Sequence, residues 1–122
     1  MVCDKNKPDI QSRAFAFACQ IVKLYQSLLD NKGAAEVLGK QVLRSGTSIG
    51  ANLEEATAGQ SKADFISKCS ISLKEARETK FWLRLIRETK LLPEKEIDTL
   101  LKESSELVAI LTTIVKNAKA EK

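Results

Sequence analysis

Three short breaks divide the chain into four long stretches in which apolar residues recur at the spacing of an α-helix. The breaks are Asn31–Gly33, Ala58–Ser61 and the residues around Pro93. Proline can open a helix but cannot continue one, and Gly33 is expected to cap the first helix in the left-handed conformation. Connections this short make successive helices run antiparallel. The sequence therefore predicts an all-α, up-down-up-down antiparallel four-helix bundle.

The predicted helices cover residues 10–30, 34–58, 62–90 and 94–118 of a single domain that spans residues 1–122. Asp9 or Ser12 is the expected N-cap of the first helix, and Ser61 that of the third, where Asp64 follows three residues later. Long helices with this little proline and glycine are typical of helical proteins that pack one core.

No uncharged apolar stretch approaches the length of about 18 residues that a membrane span needs, and the first ten residues lack the apolar core of a signal peptide. We therefore expect a cytoplasmic protein without a membrane partner. Cys3, Cys19 and Cys69 are an odd number without C-x-x-C spacing. Reduced thiols are expected, rather than disulfides or a thiolate metal site.

The chain contains no histidine, which removes the commonest general base and the Glu-x-x-His pairs of di-iron bundles. It also lacks a phosphate-binding glycine loop and any zinc-ligand spacing. Carboxylate pairs occur at Glu54 and Glu55 and at Glu75 and Glu78, where solvation or salt bridges are the expected state. We predict a non-enzymatic protein without cofactor or metal; a metal near Glu75 and Glu78 is the enzymatic alternative.

The positive charge is concentrated in the third helix. The net charge is +4, and residues 61–91 alone hold eight basic and four acidic residues. Four of these cations recur at spacings of three, four and three, which aligns them on one helix face that could follow phosphates. The candidate nucleic-acid site consists of Arg77, Lys80, Arg84 and Arg87, with Lys74 and Arg44 in support. The alternative is a solvated face paired with Glu78 and Glu88.

A second apolar set of the third helix points away from its core stripe. It includes Trp82, the only tryptophan of the chain. Exposed tryptophan on a small protein is typical of a partner surface, although a broad core could also absorb it. The candidate oligomer interface consists of Trp82, Phe81, Leu85, Ile71, Gly46 and Gly50.

The second helix is unusually polar and carries Gly39, Gly46 and Gly50 on one side. Glycine within a helix costs about 1 kcal/mol relative to alanine, so the close approach of another helix is the simplest reason for three of them. A polar packing motif flanks the core stripe, where a buried amide would need partners from the first or third helix and would fix register. It consists of Ser45, Ser48, Asn52 and Glu75.

The segment Arg44–Ala56 resembles the RSxxSIxANIxEG signature of the 23S rRNA intervening-sequence proteins, also called four-helix bundle proteins. Phe65–Leu92 is similar to the third helix of that family, and the resemblance covers about residues 10–117. One departure is Ala56, where the family more usually has glycine, and this replacement lets the second helix continue.

The resemblance implies an up-down bundle that assembles into a homopentamer, often encoded within insertions in bacterial 23S rRNA genes, without established enzymatic activity or catalytic residues. Lys80–Ile86 is also similar to a segment of the accessory proteins of diversity-generating retroelements. Those relatives are basic pentameric bundles that bind nucleic acid and a reverse transcriptase. The leading hypothesis is a homo-oligomer that binds RNA or DNA; the alternative is a scaffold for a protein partner without nucleic-acid binding.

Overall fold

The computed structural model describes residues 9–59 and 61–121, and these residues form four α-helices without any strand. The helices are α1 (Ile10–Leu28), α2 (Ala34–Thr57), α3 (Lys62–Glu88) and α4 (Glu94–Ala120). Helices α1 and α3 each end two residues earlier than predicted, and α4 continues two residues further. Cys3 and Gln60 lie outside the described residues.

Each helix packs antiparallel against its neighbour in the sequence. Along α2 and α3, Ser45 contacts Thr79, and ten residues further along α2 Glu55 approaches Lys68, which lies eleven residues earlier on α3. Helices α1 and α4 close the bundle, while the diagonal pairs make no close backbone contact among the described residues. The predicted four-helix bundle is therefore confirmed.

Two helix starts agree with the capping predictions. The Asp9 carboxylate accepts a hydrogen bond of 2.7 Å from the backbone N–H of Ser12, so Asp9 is the N-cap and Ser12 lies in the first turn. The Ser61 hydroxyl accepts one of 3.1 Å from the N–H of Asp64. These bonds satisfy backbone donors that a helix start leaves without partners.

The prediction for Gly33 was wrong in its detail. Leu29 is the C-cap of α1, whereas Gly33 precedes α2 as its N-cap, with φ 79° and ψ −131°. This is not the left-handed helical conformation, but it is a region that only glycine adopts without strain. Glycine is thus required here because the chain reverses direction before α2.

Helix α3 ends in a left-handed residue that is not glycine. Lys90 has φ 57°, and its N–H donates to the carbonyl of Arg87 at 3.1 Å. The N–H of Leu91 donates to Ile86 at 3.2 Å, which completes a Schellman motif. Leu91 and Leu92 then pack against the core before α4 begins.

The core contains large apolar side chains from all four helices, among them Phe17, Ile49, Leu83 and Leu107. Cys69 is buried within it, which raises the pKa of its thiol, whereas Cys19 is exposed. Both of these cysteines are free thiols. No described helix is long and apolar enough to cross a membrane.

Buried hydroxyls join α2 to α3. The hydroxyls of Ser45 and Thr79 lie 2.9 Å apart, and Ser72 donates to the carbonyl of Ile49 at 2.8 Å. Every buried side-chain polar atom among the described residues has a hydrogen-bond partner. Because these bonds are possible only at one alignment of the two helices, they stabilise its register.

The other polar residues of α2 bond within their own helix. The Ser48 hydroxyl donates to the carbonyl of Arg44 at 2.7 Å, and the Asn52 amide donates to that of Ser48 at 2.8 Å. The expectation that Asn52 finds its partner on another helix was therefore wrong. Its amide is only partly buried, so an acceptor one turn back satisfies it.

The three glycines of α2 all face α1. A Cβ atom at Gly46 would lie 2.9 Å from the side chain of Ile21, and one at Gly39 would lie 3.2 Å from Tyr25. At Gly50 the nearest atoms, those of Ala14, would be 3.6 Å away. The expected close approach of another helix is thus confirmed. Because that helix belongs to the same chain, Gly46 and Gly50 are accounted for without an oligomer contact.

Candidate nucleic-acid interface

The outer face of α3 carries four cations around one exposed aromatic ring. We call this set the basic face; it consists of Lys74, Arg77, Lys80 and Arg84. Lys74, Arg77 and Arg84 are exposed, and Lys80 is half-buried. None of the four side chains forms an ion pair or a hydrogen bond with any described residue. Their charge is therefore available to an anionic ligand.

Arg87, which the sequence predicts to belong to the same site, is bound to carboxylates of α4. Its Nε donates to Oδ1 of Asp98 at 2.6 Å, and its Nη2 lies 3.5 Å from Glu94. The hydrogen bond to Asp98, with the nearby charge of Glu94, raises the pKa of Arg87. Both carboxylates belong to α4, so Arg87 links α3 to α4 and has less capacity for a phosphate.

Arg44 was also predicted to support the site, but it too is paired with carboxylates. Its guanidinium bonds to Glu78 and lies 3.3 Å from Oε2 of Glu75. The bond to Glu78 raises the pKa of Arg44. Glu75 and Glu78 are therefore salt-bridged to α2. Solvation and salt bridges were the two states expected of them from the sequence. Among the described residues, no group of three or more potential ligands could hold a metal ion.

Glu78 also accepts a hydrogen bond of 2.9 Å from Nε1 of Trp82. This bond, together with Arg44, holds the pKa of Glu78 below its ordinary value. Arg44, Glu75, Glu78 and Trp82 thus form one connected group across α2 and α3, which we call the α2–α3 clamp. In it, Glu78 orients the indole that follows one helical turn later.

The apolar residues predicted as an oligomer interface divide by burial. Trp82, Ile71 and Leu85 are half-buried. Trp82 packs against the core, which agrees with the alternative that a broad core absorbs it. Phe81 is 52% exposed. The rings of Phe81 and Trp82 meet edge to face with centroids 5.1 Å apart and planes at 73°. Phe81, Arg84, Leu85 and Glu88 line a shallow, largely apolar depression. The exposed aromatic residue of α3 is thus Phe81 rather than Trp82.

A further apolar surface on α1 was missed by the sequence analysis. Phe15, Val22 and Leu29 are 68%, 40% and 53% exposed and lie seven residues apart along one side of α1 and its C-cap. Between Ala14 and Leu29 the only charged residue is Lys23. The seven-residue spacing and the lack of charge are visible in the sequence, beside the core stripe of α1.

The remaining arginine, Arg13, crosses from α1 to α4. It binds Glu103 with two hydrogen bonds, from Nε at 3.0 Å and from Nη2 at 2.6 Å, and reaches Glu106 at 3.2 Å. Arg13, Arg44 and Arg87 therefore each join two neighbouring helices. This use of arginine matches its planar fork, which fits a carboxylate at two points.

The fold and these surfaces define a small all-α four-helix bundle. Arginine–carboxylate pairs join its neighbouring helices, and α3 has a basic outer face. The chain belongs to the 23S rRNA-intervening sequence protein family, whose model matches residues 6–113. The predicted family is thereby confirmed.

The crystal structure of a protein of unknown function from the S23 ribosomal protein family of Bacteroides thetaiotaomicron is similar to this chain. The two are 40% identical, the match covers 88% of this chain and 99% of that one, and the TM-score is 0.82. No curated protein matches the chain.

Proposed function

We propose that this protein is a non-enzymatic homo-oligomer that binds RNA or DNA through the basic face of α3. The use of arginine carries the proposal. Of the five arginines, Arg13, Arg44 and Arg87 are bound to carboxylates of neighbouring helices. Arg77 and Arg84 have no ion pair with a described residue, and both lie on the outer face of α3.

The dimensions of the basic face suit a nucleic-acid backbone. Lys74 and Arg84 are ten residues apart, which corresponds to about 15 Å along a helix. Phosphates of one strand follow each other at about 3.4 Å along a duplex axis, so the face spans roughly four of them. Phosphate contacts of this kind release counterions and give salt-sensitive binding with weak sequence preference. The resemblance to the retroelement accessory proteins favours the same activity.

The α1 stripe of Phe15, Val22 and Leu29 supports the oligomeric part of the proposal. Depletion of charge around exposed apolar residues is typical of subunit interfaces, and a seven-residue spacing is typical of helix pairing. Two copies of the basic face would repel each other, whereas two copies of α1 would bring few charges together. Assembly through α1 leaves the basic face of every subunit accessible, so that each subunit adds a binding site.

A charge-reversal experiment tests the nucleic-acid part. The double variant Arg77→Glu/Arg84→Glu is compared with Lys116→Glu/Lys119→Glu, which makes the same change of net charge at exposed positions of α4. Filter binding of a structured RNA is measured at several salt concentrations. We expect the α3 variant to bind at least about tenfold more weakly, with a salt slope reduced by about two, because two phosphate contacts are lost.

The α4 variant should keep most of the wild-type affinity. Equal losses in the two variants would show that only net charge matters, and no retention of RNA by the wild type at low salt would refute the proposal. The observation that favours the alternative, a protein scaffold without nucleic-acid binding, is the apolar stripe of α1. That alternative would be supported if the protein assembled but bound no nucleic acid.

A further inference from the structure

We infer that Phe81 stacks against an unpaired base, so that the basic face binds single-stranded RNA or DNA in preference to a duplex. This inference rests on the proposed function and specifies its ligand. An exposed aromatic ring within a line of cations is the arrangement with which proteins hold single strands: cations contact the backbone while the ring receives a base.

The position of Phe81 within the basic face is the first argument. Phe81 follows Arg77 by four residues and precedes Arg84 by three. Residues at these separations are neighbours on a helix surface, with Cβ atoms about 5–6 Å apart. The two unpaired arginines therefore flank the ring along α3. A strand whose phosphates contact Arg77 and Arg84 passes over Phe81, where a base can meet the ring.

The packing behind the ring is the second argument. Phe81 contacts the indole of Trp82, whose Nε1 donates to Glu78 at 2.9 Å. Glu78 in turn bonds to Arg44 of α2. This series of contacts braces one side of an aromatic ring that is otherwise 52% exposed. A ring held in place before binding loses less conformational entropy when a base stacks on it.

The charge around the ring decides between possible occupants. A second copy of the same face would bring its four cations against these four, which is unfavourable. A regular duplex offers phosphates to the arginines but keeps its bases stacked internally, so Phe81 would gain no partner. A single strand satisfies both the cations and the ring. Glu88 lies at one end of the same depression, where it pairs with Arg87 at 3.6 Å. Because its carboxylate repels phosphates, the strand is expected to leave Arg84 toward Arg77 rather than toward Glu88.

Fluorescence anisotropy with matched probes tests the inference. The probes are labelled oligo(dT), oligo(U), an abasic strand of the same length and a duplex of that length. The variants are Phe81→Ala, Phe81→Leu, which keeps an apolar contact without a flat ring, and Phe81→Tyr, which keeps the ring. Val37→Ala on α2 is the control, since Val37 is also an exposed apolar residue but belongs to a different helix.

We expect the wild type to bind oligo(dT), oligo(U) or both more tightly than it binds the abasic strand and the duplex. Phe81→Ala and Phe81→Leu should weaken that binding about tenfold, the effect of losing one stacked base. Neither should alter binding of the abasic strand, and Phe81→Tyr and Val37→Ala should resemble the wild type. Loss with one of the two oligonucleotides alone would show which of the two strands places a base on Phe81.

Two results would overturn the inference while leaving the proposed function intact. One is an affinity of the wild type for the abasic strand or for the duplex that equals its affinity for the base-bearing strands, and the other is unchanged oligonucleotide binding by Phe81→Ala. Failure of the wild type to bind any of the four probes at low salt would overturn the proposed function as well.

Discussion

Arginine serves two different purposes in this protein, and the difference depends on which carboxylates lie within reach. Arg13, Arg44 and Arg87 each contact an acidic residue of a neighbouring helix. Such bonds use two or more N–H groups of the planar guanidinium, a fixed geometry that a lysine ammonium does not offer. Arg77 and Arg84 face outward from α3, where none of the described residues of the other helices supplies an acceptor. At the scale of the residue, therefore, the neighbouring helix decides what an arginine does.

Glu78 provides a pH-dependent prediction at this scale. Because its pKa is lowered in the folded protein, its contribution to stability is complete above the pKa it has when unfolded. That contribution is lost as the pH falls through the lowered, folded-state value. Since Trp82 is the only tryptophan and donates to Glu78, its fluorescence should change in the same acid range.

The measurement is an acid titration of tryptophan fluorescence and of the free energy of unfolding. Glu78→Gln should remove the acid transition of fluorescence, whereas Glu54→Gln, at an exposed position of α2, should preserve it. A transition that persists in Glu78→Gln, or one at or above the ordinary glutamate range, would contradict the assignment.

At the scale of the element, α1 and α2 approach closely because α2 has glycine where it meets α1. Gly46 and Gly50 test this directly. Alanine favours helix over glycine by about 1 kcal/mol. At Gly50 the new Cβ would make ordinary contacts of 3.6 Å, so Gly50→Ala should raise the free energy of unfolding by up to about 1 kcal/mol.

Gly46→Ala should have the opposite sign. Its Cβ would lie 2.9 Å from Ile21, including atoms close to the backbone that cannot swing away. Overpacking of this kind typically costs about 1–3 kcal/mol, which outweighs the gain in helix propensity. Urea unfolding of both variants measures the difference. If both alanines stabilise the protein equally, the close packing of α1 on α2 at Gly46 is not as described.

At the scale of the whole molecule, the apolar stripe of α1 predicts self-association. A single chain has a mass of 13.5 kDa, and light scattering should give the wild type a multiple of it. Val22→Glu should shift the mass toward the single-chain value, because a charge would be placed within an apolar contact. Ser27→Glu introduces the same charge at another exposed position of α1 and should leave the mass unchanged. A monomeric wild type, or an unaltered mass for Val22→Glu, would refute assembly through α1.

The number, order and direction of the helices follow from the sequence because their causes are local. Apolar spacing, Asp9 and Ser61 as caps, and three short connections are all properties of residues close together in the chain. The family signature is local in the same sense. The polar spacing of the signature predicts packing residues, and Ser45 does join α2 to α3 through Thr79.

What required the tertiary structure is the identity of each side chain's neighbours. Arg87 continues the spacing of Arg77 and Arg84, yet only the packing of α4 brings Asp98 to it. Likewise, helical spacing alone does not show that Trp82 packs inward while Phe81 stays exposed. Pairing and burial depend on groups far apart in the chain, so the final composition of the basic face was decided by the packing of the helices around α3.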